Sequence, residues 1–378
     1  MPDSAADIVD IREALPADGP ALLQAIHQIN WETEYLGMPG EALPWADRPA
    51  DFIREMQERG GGAYIIAVCG GTIVGFLGAY TGEFARTRGV VFIAHVGVRQ
   101  ALRGYGIGTQ LLLAIEGWAR DRDARRLELR VDEANQRGLV LYHRRGFNLE
   151  GKVADAAMVD GVWHAHYWMA KPLAVETRPE WEPGPLPSPV PNRDPGQLAI
   201  RAIRTEDAAA LCDWERRLLR DGPKLWLKQP GEILSETDMA GRISAALQSE
   251  SRLMWAATVT EAGRERIVGR LDGWPLPGQR ACHDGHFALN VSPGFWGRGL
   301  GCRLAGQLET WARSLDLRRL STTVLAHNAR GRRFAEAQGF ICEAVSPAYA
   351  IIDDRPVGLL RLGKLLQASG QASDPVGA

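Results

Sequence analysis

The chain has 378 residues, 45% apolar and 24% charged, with 44 Lys+Arg against 46 Asp+Glu and a formal net charge of −2. That length allows two or three domains with ordinary cores, and the balanced charge argues against a dedicated nucleic-acid binder. Its five cysteines are scattered without a C-x-x-C pair, its acidic start is unlike a signal peptide, and no apolar run approaches the roughly 18 residues of a membrane helix. The expectation is a cytoplasmic chain with no structural metal, no membrane and no nucleic-acid partner.

In chain order, a strand near 8–12 leads into a helix after Asp18. The segment Trp31-Glu32-Thr33-Glu34-Tyr35, with Pro39-Gly40-Glu41 after it, reads as part of an amphipathic helical region. A helix near 50–59 follows, then strands over 63–68 and 72–79. An apolar run from Ala94 to Val98 precedes the loop Arg103-Gly104-Tyr105-Gly106-Ile107-Gly108, which opens a helix over 107–121. A strand over 126–131 precedes a helix from Asn135, then Gly146-Phe147 and strands after Gly146 and near 163–169.

From Pro172 to Gly196 prolines occur at 172, 179, 183, 185, 187, 189, 191 and 195. Such density cannot sustain a helix or a central strand and reads as a semi-rigid spacer. The earlier succession then returns. A strand over 198–203 and a helix after Asp207 lead to a helix over 235–248 and strands over 253–260 and 266–273. The run Phe287 to Val291 precedes Trp296-Gly297-Arg298-Gly299-Leu300-Gly301 and a helix over 300–315. A strand over 319–324, a helix from Asn328, Gly339-Phe340, and strands after Gly339 and over 347–362 complete it. The small polar tail 367–378 is expected to be disordered.

The recurrence has a measurable offset. Gly104 to Gly297, Val98 to Val291, Asn135 to Asn328 and Gly146 to Gly339 are all 193 residues apart. Ile73-Val74-Gly75 recurs at 194, and Ile11-Arg12 at 189. The drift is confined to the first half of each unit, as insertions in surface loops would produce. The period is too long for a solenoid, so a whole α/β domain with a mixed sheet is duplicated. The expected domains are 1–171 and 198–366, joined by a linker over 172–197.

A glycine-rich turn between strand and helix bares N–H groups suited to phosphate. A Walker loop would end in Gly-Lys-Ser/Thr, and neither copy has the lysine. A dinucleotide fingerprint needs G-x-G-x-x-G after a first strand, and here the third glycine comes one residue early. Arg103, Gly106 and Gly108 instead match Arg/Gln-x-x-Gly-x-Gly, an acyl-CoA pyrophosphate loop. With Val96-Gly97-Val98 before it, and Asn135, Tyr142 and Gly146-Phe147 after it, the first unit resembles the GNAT superfamily of acetyl-CoA-dependent N-acetyltransferases. The second unit resembles it too.

The resemblance implies two tandem domains, each a mostly antiparallel twisted sheet with a splayed central strand pair flanked by helices. It implies acetyl-CoA as cofactor and a small-molecule primary amine as acceptor, acetylated by direct attack in a ternary complex on a monomer or homodimer. In the first unit the cofactor would meet Val96, Val98, Arg103, Gly104, Tyr105, Gly106, Ile107, Gly108, Thr109 and Asn135. In the second it would meet Leu289, Val291, Trp296, Gly297, Arg298, Gly299, Leu300, Gly301, Cys302 and Asn328. Asn135 also suits a helix N-cap.

Tyr142 is the candidate proton donor to the departing thiolate. His95, Glu83 and Glu34 are candidate bases for the amine. Carboxylates beside aromatics in 31–41 suit a cationic amine. In the second unit Ala335 stands in place of Tyr142 and cannot donate a proton. His283, Asp284, His286 and Asp272 could supply a base there, and Trp214, Trp226, Trp255 and Trp274 pack a core or line a pocket. The first unit is therefore the expected competent site. A mycothiol synthase-like tandem enzyme and an acyl-CoA-binding sensor without turnover are the alternatives.

Overall fold

A computed structural model describes residues 9–36, 43–174 and 197–366. Most of the proline-rich spacer, the segment Pro39-Gly40-Glu41 and the tail lie outside the described residues. In the first copy β1 (Asp10–Glu13) is followed by α1 (Gly19–Asn30), α2 (Pro49–Glu58), β2 (Gly62–Cys69), β3 (Thr72–Thr81) and β4 (Val90–Val98). Then come α3 (Ile107–Arg120), β5 (Arg126–Asp132), α4 (Gln136–Arg144), β6 (Asn148–Val159) and β7 (Val162–Pro172). The strand order is β1-β2-β3-β4-β5-β7-β6. Only β4 and β5 pair in parallel; the other neighbours are antiparallel.

The second copy repeats this. It runs β8 (Gln197–Ala202), α5 (Ala208–Asp221), α6 (Glu236–Leu247), β9 (Leu253–Glu261), β10 (Arg264–Pro275) and β11 (Asp284–Val291). It continues with α7 (Leu300–Ser314), β12 (Arg319–Leu325), α8 (Ala329–Ala337), β13 (Ile341–Ile352) and β14 (Arg355–Leu365). Its order is β8-β9-β10-β11-β12-β14-β13. Both closing strands are present, but the boundary expected between them is corrected: the turn falls at Asp353 and Asp354, both at positive φ, and not before 347. The chain divides into two compact units. One holds the first copy with Gly278–Arg280 and Ala344–Leu359, and the other holds the rest of the second copy.

Side-chain spacing explains the packing. In α3, Ile107, Leu111, Leu112, Ile115, Trp118 and Ala119 share one stripe and are buried. That stripe covers Leu77, Leu127 and Leu129 on one sheet face. Leu22, Ile26 and Ile29 of α1 and Ile53 of α2 cover Tyr64, Ile66 and Phe76 on the other. Each fully buried side chain of this size contributes about 1.5–3 kcal/mol. In the second copy α7 and α5/α6 bury the corresponding faces through Leu304 and Leu308 and through Leu211, Trp214 and Ile243. Sandwiched between helices, the central parallel pair is where each copy can open only by parting its strands.

Candidate active site

In the first copy β4 pairs with β5 over Val90–Ile93 against Arg126–Leu129. Past Ile93 the two strands part, and residues 95–98 stay paired to β3. The register with β3 slips here: His95 faces Gly78, yet Ile93 faces Ala79, so Ala94 is an extra, bulged residue. A bulge bends its strand and re-aims the side chains beyond it. The parted strands open a cavity of about 1210 Å³, above the ~300–1,000 Å³ common for small-molecule sites. It is lined by His95, Val96, Val98, Arg103, Gly104, Gly106, Ile107, Gly108, Thr109, Asn135 and Tyr142.

Local backbone chemistry shapes the loop. Gly104 and Gly106 sit at φ of 93° and 82°, left-handed values that favour glycine, and nothing lies within 4 Å of a Cβ added to either. Gly106 is the N-cap of α3, so the first N–H groups of that helix face the cavity end. The Arg103 side chain braces the turn: Nε donates to the Val98 carbonyl at 3.0 Å and Nη2 to the Glu32 carbonyl at 3.2 Å. Tyr105 is 51% exposed and stands outside the lining. Asn135 caps α4, its Oδ1 accepting from Gly138 N–H at 2.9 Å. A Cβ at Gly138 would lie 2.8 Å from the Asn135 amide, so Asn-x-x-Gly is a paired requirement that the sequence displays in both copies.

The four sequence candidates for proton chemistry separate here. Tyr142 is buried, edge-on to Phe147 at 5.9 Å, and burial pushes its phenol up to about 12. His95 is half-buried, and burial pulls its imidazole below the ordinary value, so it is neutral near pH 7. Its ring lies over Gly78 beside Tyr64, where a Cβ would come within 3.2 Å of His95 and 2.7 Å of Tyr64. Glu83 is exposed in the β3–β4 loop and Glu34 is exposed; neither lines the cavity.

The helical reading of Trp31–Tyr35 is also corrected. Helix α1 ends at Asn30, and the segment runs on as turns. Glu32 is tied to the end of β4, 2.8 Å from Arg99. Trp31 is 74% exposed, while the Tyr35 hydroxyl donates to the Ala134 carbonyl at 3.3 Å. The expected cradle of carboxylates for a cation is not what these residues build.

Sequence reasoning missed a polar group on the far wall. Asp132, the last residue of β5, lines the cavity and is 5% exposed. Its oxygens lie 2.8 and 3.0 Å from His164 Nδ1, and Oδ1 accepts from Ala134 N–H at 2.8 Å. His166 Nε2 is 3.8 Å away, and burial, aided by the charge of Arg130, lowers its imidazole to about 4. The available signal was His164-x-His166 on one strand face, but only the pairing of β5 with β7 brings it to Asp132.

The second copy rebuilds the loop. Gly297 and Gly299 both sit at φ 76°, and Asn328 Oδ1 accepts from Gly331 N–H at 2.9 Å. Trp296 Nε1 donates to the Val291 carbonyl at 2.7 Å, the same brace that Arg103 makes. Arg298 lies over the Phe295 ring at 5.3 Å, Leu289 and Val291 are half-buried on β11, and Cys302 is exposed on α7. β11 pairs with β12 only over Asp284–His286, but its register with β10 is unbroken.

The candidate bases of this copy are engaged elsewhere. Asp284 is 2.9 Å from buried Arg319, and Asp272 is 2.7 Å from buried Arg270. His286 lies 5.1 Å from the Trp274 ring, and His283 is half-buried before β11. Trp214 is core: 1% exposed, edge-on to Trp226, and donating to Ser292 Oγ at 2.9 Å. Trp255 packs against the α7-side core. Among the described residues no helix is long and apolar enough to cross a membrane.

Comparison with known proteins follows the duplication. The acetyltransferase (GNAT) family model matches residues 23–147 and again 211–340. An acetyltransferase of the GNAT family from Streptococcus pneumoniae is a similar solved structure, 22% identical, covering 45% of this chain and 100% of its own, with a TM-score of 0.42. A ribosomal-protein-alanine N-acetyltransferase from Brucella melitensis is 25% identical over 43% of this chain and 99% of its own, TM-score 0.39. A GNAT superfamily phosphinothricin acetyltransferase from Sinorhizobium meliloti, in complex with acetyl-CoA, is 18% identical over 47% and 93%, TM-score 0.39. No curated protein matches the chain.

Proposed function

This chain belongs to the acetyltransferase (GNAT) family, and on that premise we propose that its first copy moves an acetyl group from acetyl-CoA to a primary amine of a small molecule. The observation that carries this reading is the cavity between β4 and β5, which joins the loop amides at one end to Tyr142 and His95 farther in. Acetyl-CoA bound there supplies an activated thioester.

The residues fit such a group. The N–H groups from Gly104 to Thr109 suit a pyrophosphate at the start of α3, where the helix dipole adds to the attraction. Residues 94–98, turned away from β5, offer backbone to a long polar arm. Val98 offers its N–H more readily than its carbonyl, which Arg103 already occupies. Tyr142 stays protonated at any ordinary pH and serves as a hydrogen-bond donor to a departing sulfur. Complete transfer from a phenol near 12 to a thiolate near 8.5 is uphill by about 4.8 kcal/mol, unless the same burial raises the thiol as well. His95, neutral, can take the proton that an ammonium acceptor must lose before it attacks; the second proton, released on attack, is a separate question.

The second copy is read as binding acetyl-CoA without turnover, because its cradle is intact while Ala335 is buried and carries no hydroxyl. Titration calorimetry with acetyl-CoA and thiol release with a panel of primary amines test the whole reading. Tyr142→Phe should lower turnover by about 10²-fold while acetyl-CoA still binds. A chain that does not bind saturating acetyl-CoA, or a Tyr142→Phe chain as active as the parent, would sink it.

A further inference from the structure

The proton that leaves the acceptor nitrogen needs a group to receive it, and this inference rests on the acetyl-transfer reading above. We propose that Asp132 receives that proton at the cavity wall, with His164 as the positioning residue that holds its carboxylate. When a neutral amine attacks the thioester, a C–N bond forms, the C–S bond breaks, and the bonding pair leaves on sulfur. The nitrogen then carries one proton in excess, which passes to an Asp132 oxygen. Sulfur leaves as the thiolate, held by a hydrogen bond from the Tyr142 hydroxyl, and takes a proton from water on release, so one proton is lost by nitrogen to Asp132 and one is gained by sulfur from solvent. The proton on Asp132 exchanges with water when the products leave.

The geometry supports this division. Asp132 lines the cavity and is 5% exposed, so a charge developing on an acceptor there is poorly screened. His164 lies behind it on β7, outside the lining, with its side chain 18% exposed. Its Nδ1 reaches both carboxylate oxygens, which fixes the carboxylate's rotation. The neighbouring charges are accounted for. His166 is kept neutral by burial, Glu133 is 2.7 Å from Lys152, and Arg130 lies over Trp168.

The duplication supplies an internal control. At the same offset of 193 the second copy has Leu325 for Asp132, Val357 for His164 and Leu359 for His166. It nevertheless forms the same strand, turn and Asn-capped helix. The fold therefore does not require the polar trio. The trio accompanies Tyr142 in one copy, and apolar residues accompany Ala335 in the other.

The test compares His164→Asn, which keeps an N–H donor, with His164→Val, which copies the second unit, and Asp132→Asn. Thiol release with the amine panel should give a kcat about 10²-fold lower for Asp132→Asn and about tenfold lower for His164→Val. His164→Asn should stay within a few-fold of the parent, and KM for acetyl-CoA should not move. Independently of turnover, ¹⁵N shifts of the free protein should show His164 protonated on Nδ1. A parent-like kcat in Asp132→Asn, equal losses in His164→Asn and His164→Val, or an unprotonated Nδ1 would overturn this assignment alone. A parent chain that binds no acetyl-CoA, or releases no thiol with any amine, overturns the acetyl-transfer reading and this one with it.

Discussion

Between β3 and the glycine loop the first copy carries one residue more than the second. Gly75 and Gly269 are 194 apart, Val98 and Val291 only 193, and the loops between these strand pairs are equal in length. The difference is the bulged Ala94, so this last step of the drift lies in a central strand and not in a surface loop. The cavity beside the bulge holds His95, Asp132 and Tyr142, with His164 behind Asp132; their counterparts are Ala288, Leu325, Ala335 and Val357. The glycines and the Asn caps are common to both copies. Backbone geometry demands those shared residues, while the polar groups answer to something other than folding. A cradle and the chemistry beside it can thus be inherited together and lost separately.

The comparison can be broken most severely by deleting Ala94, which gives β4 the unbroken register of β11. Residues 90–93 must then shift by one, and side chains shifted by one exchange faces. Turnover should fall at least about 10²-fold, since displacement of about 1 Å at a reacting centre already costs that much. Retained turnover would show that the bulge is incidental.

A second test uses acid. The His166 imidazole titrates near 4 in the folded chain and about 6.5 unfolded. Below pH 6.5 the unfolded state takes the proton first, so stability falls as pH drops from about 6.5 to about 4. The loss from this group should approach about 3 kcal/mol. Denaturant midpoints across that range should show it in the parent and not in His166→Leu, which copies Leu359. Equal slopes would mean that the histidine is no burden peculiar to the first copy.

The smallest effect sharpens the likeness. Asn135→Ala and Asn328→Ala should each cost about 1 kcal/mol of stability through the lost cap. An additional loss of acetyl-CoA affinity in Asn135→Ala, read by calorimetry, would reveal a ligand contact beyond capping. Identical affinity would leave Asn135 purely structural.

Much of this was legible in the sequence. The glycine loop, the strand before it and the helix after it are local signals, and the duplication doubled each of them. The first copy's cavity does hold His95, Val96, Tyr142 and Asn135 together. Glu34 and Glu83 fall outside the cavity lining, and the sequence could not show it, because a carboxylate near a helix or strand end gives no sign of which way the following turn carries it. Asp132 and His164 were missed because 32 residues separate them and only cross-strand register joins them. The bulge was invisible for the same reason: it is a property of two strands compared, not of either alone.

The brace at the start of each loop has a further consequence. Arg103 and Trp296 hold the same strand-end carbonyl through a side-chain N–H, although one is charged and the other is not. Two residues later the types are exchanged, Tyr105 against Arg298. Each loop therefore keeps one arginine and one aromatic ring, but in opposite order. In one the cation is spent on fastening; in the other it rests on the face of Phe295. The shape of such a turn and the placement of its charge are independent variables, and a descendant can retune the second without disturbing the first.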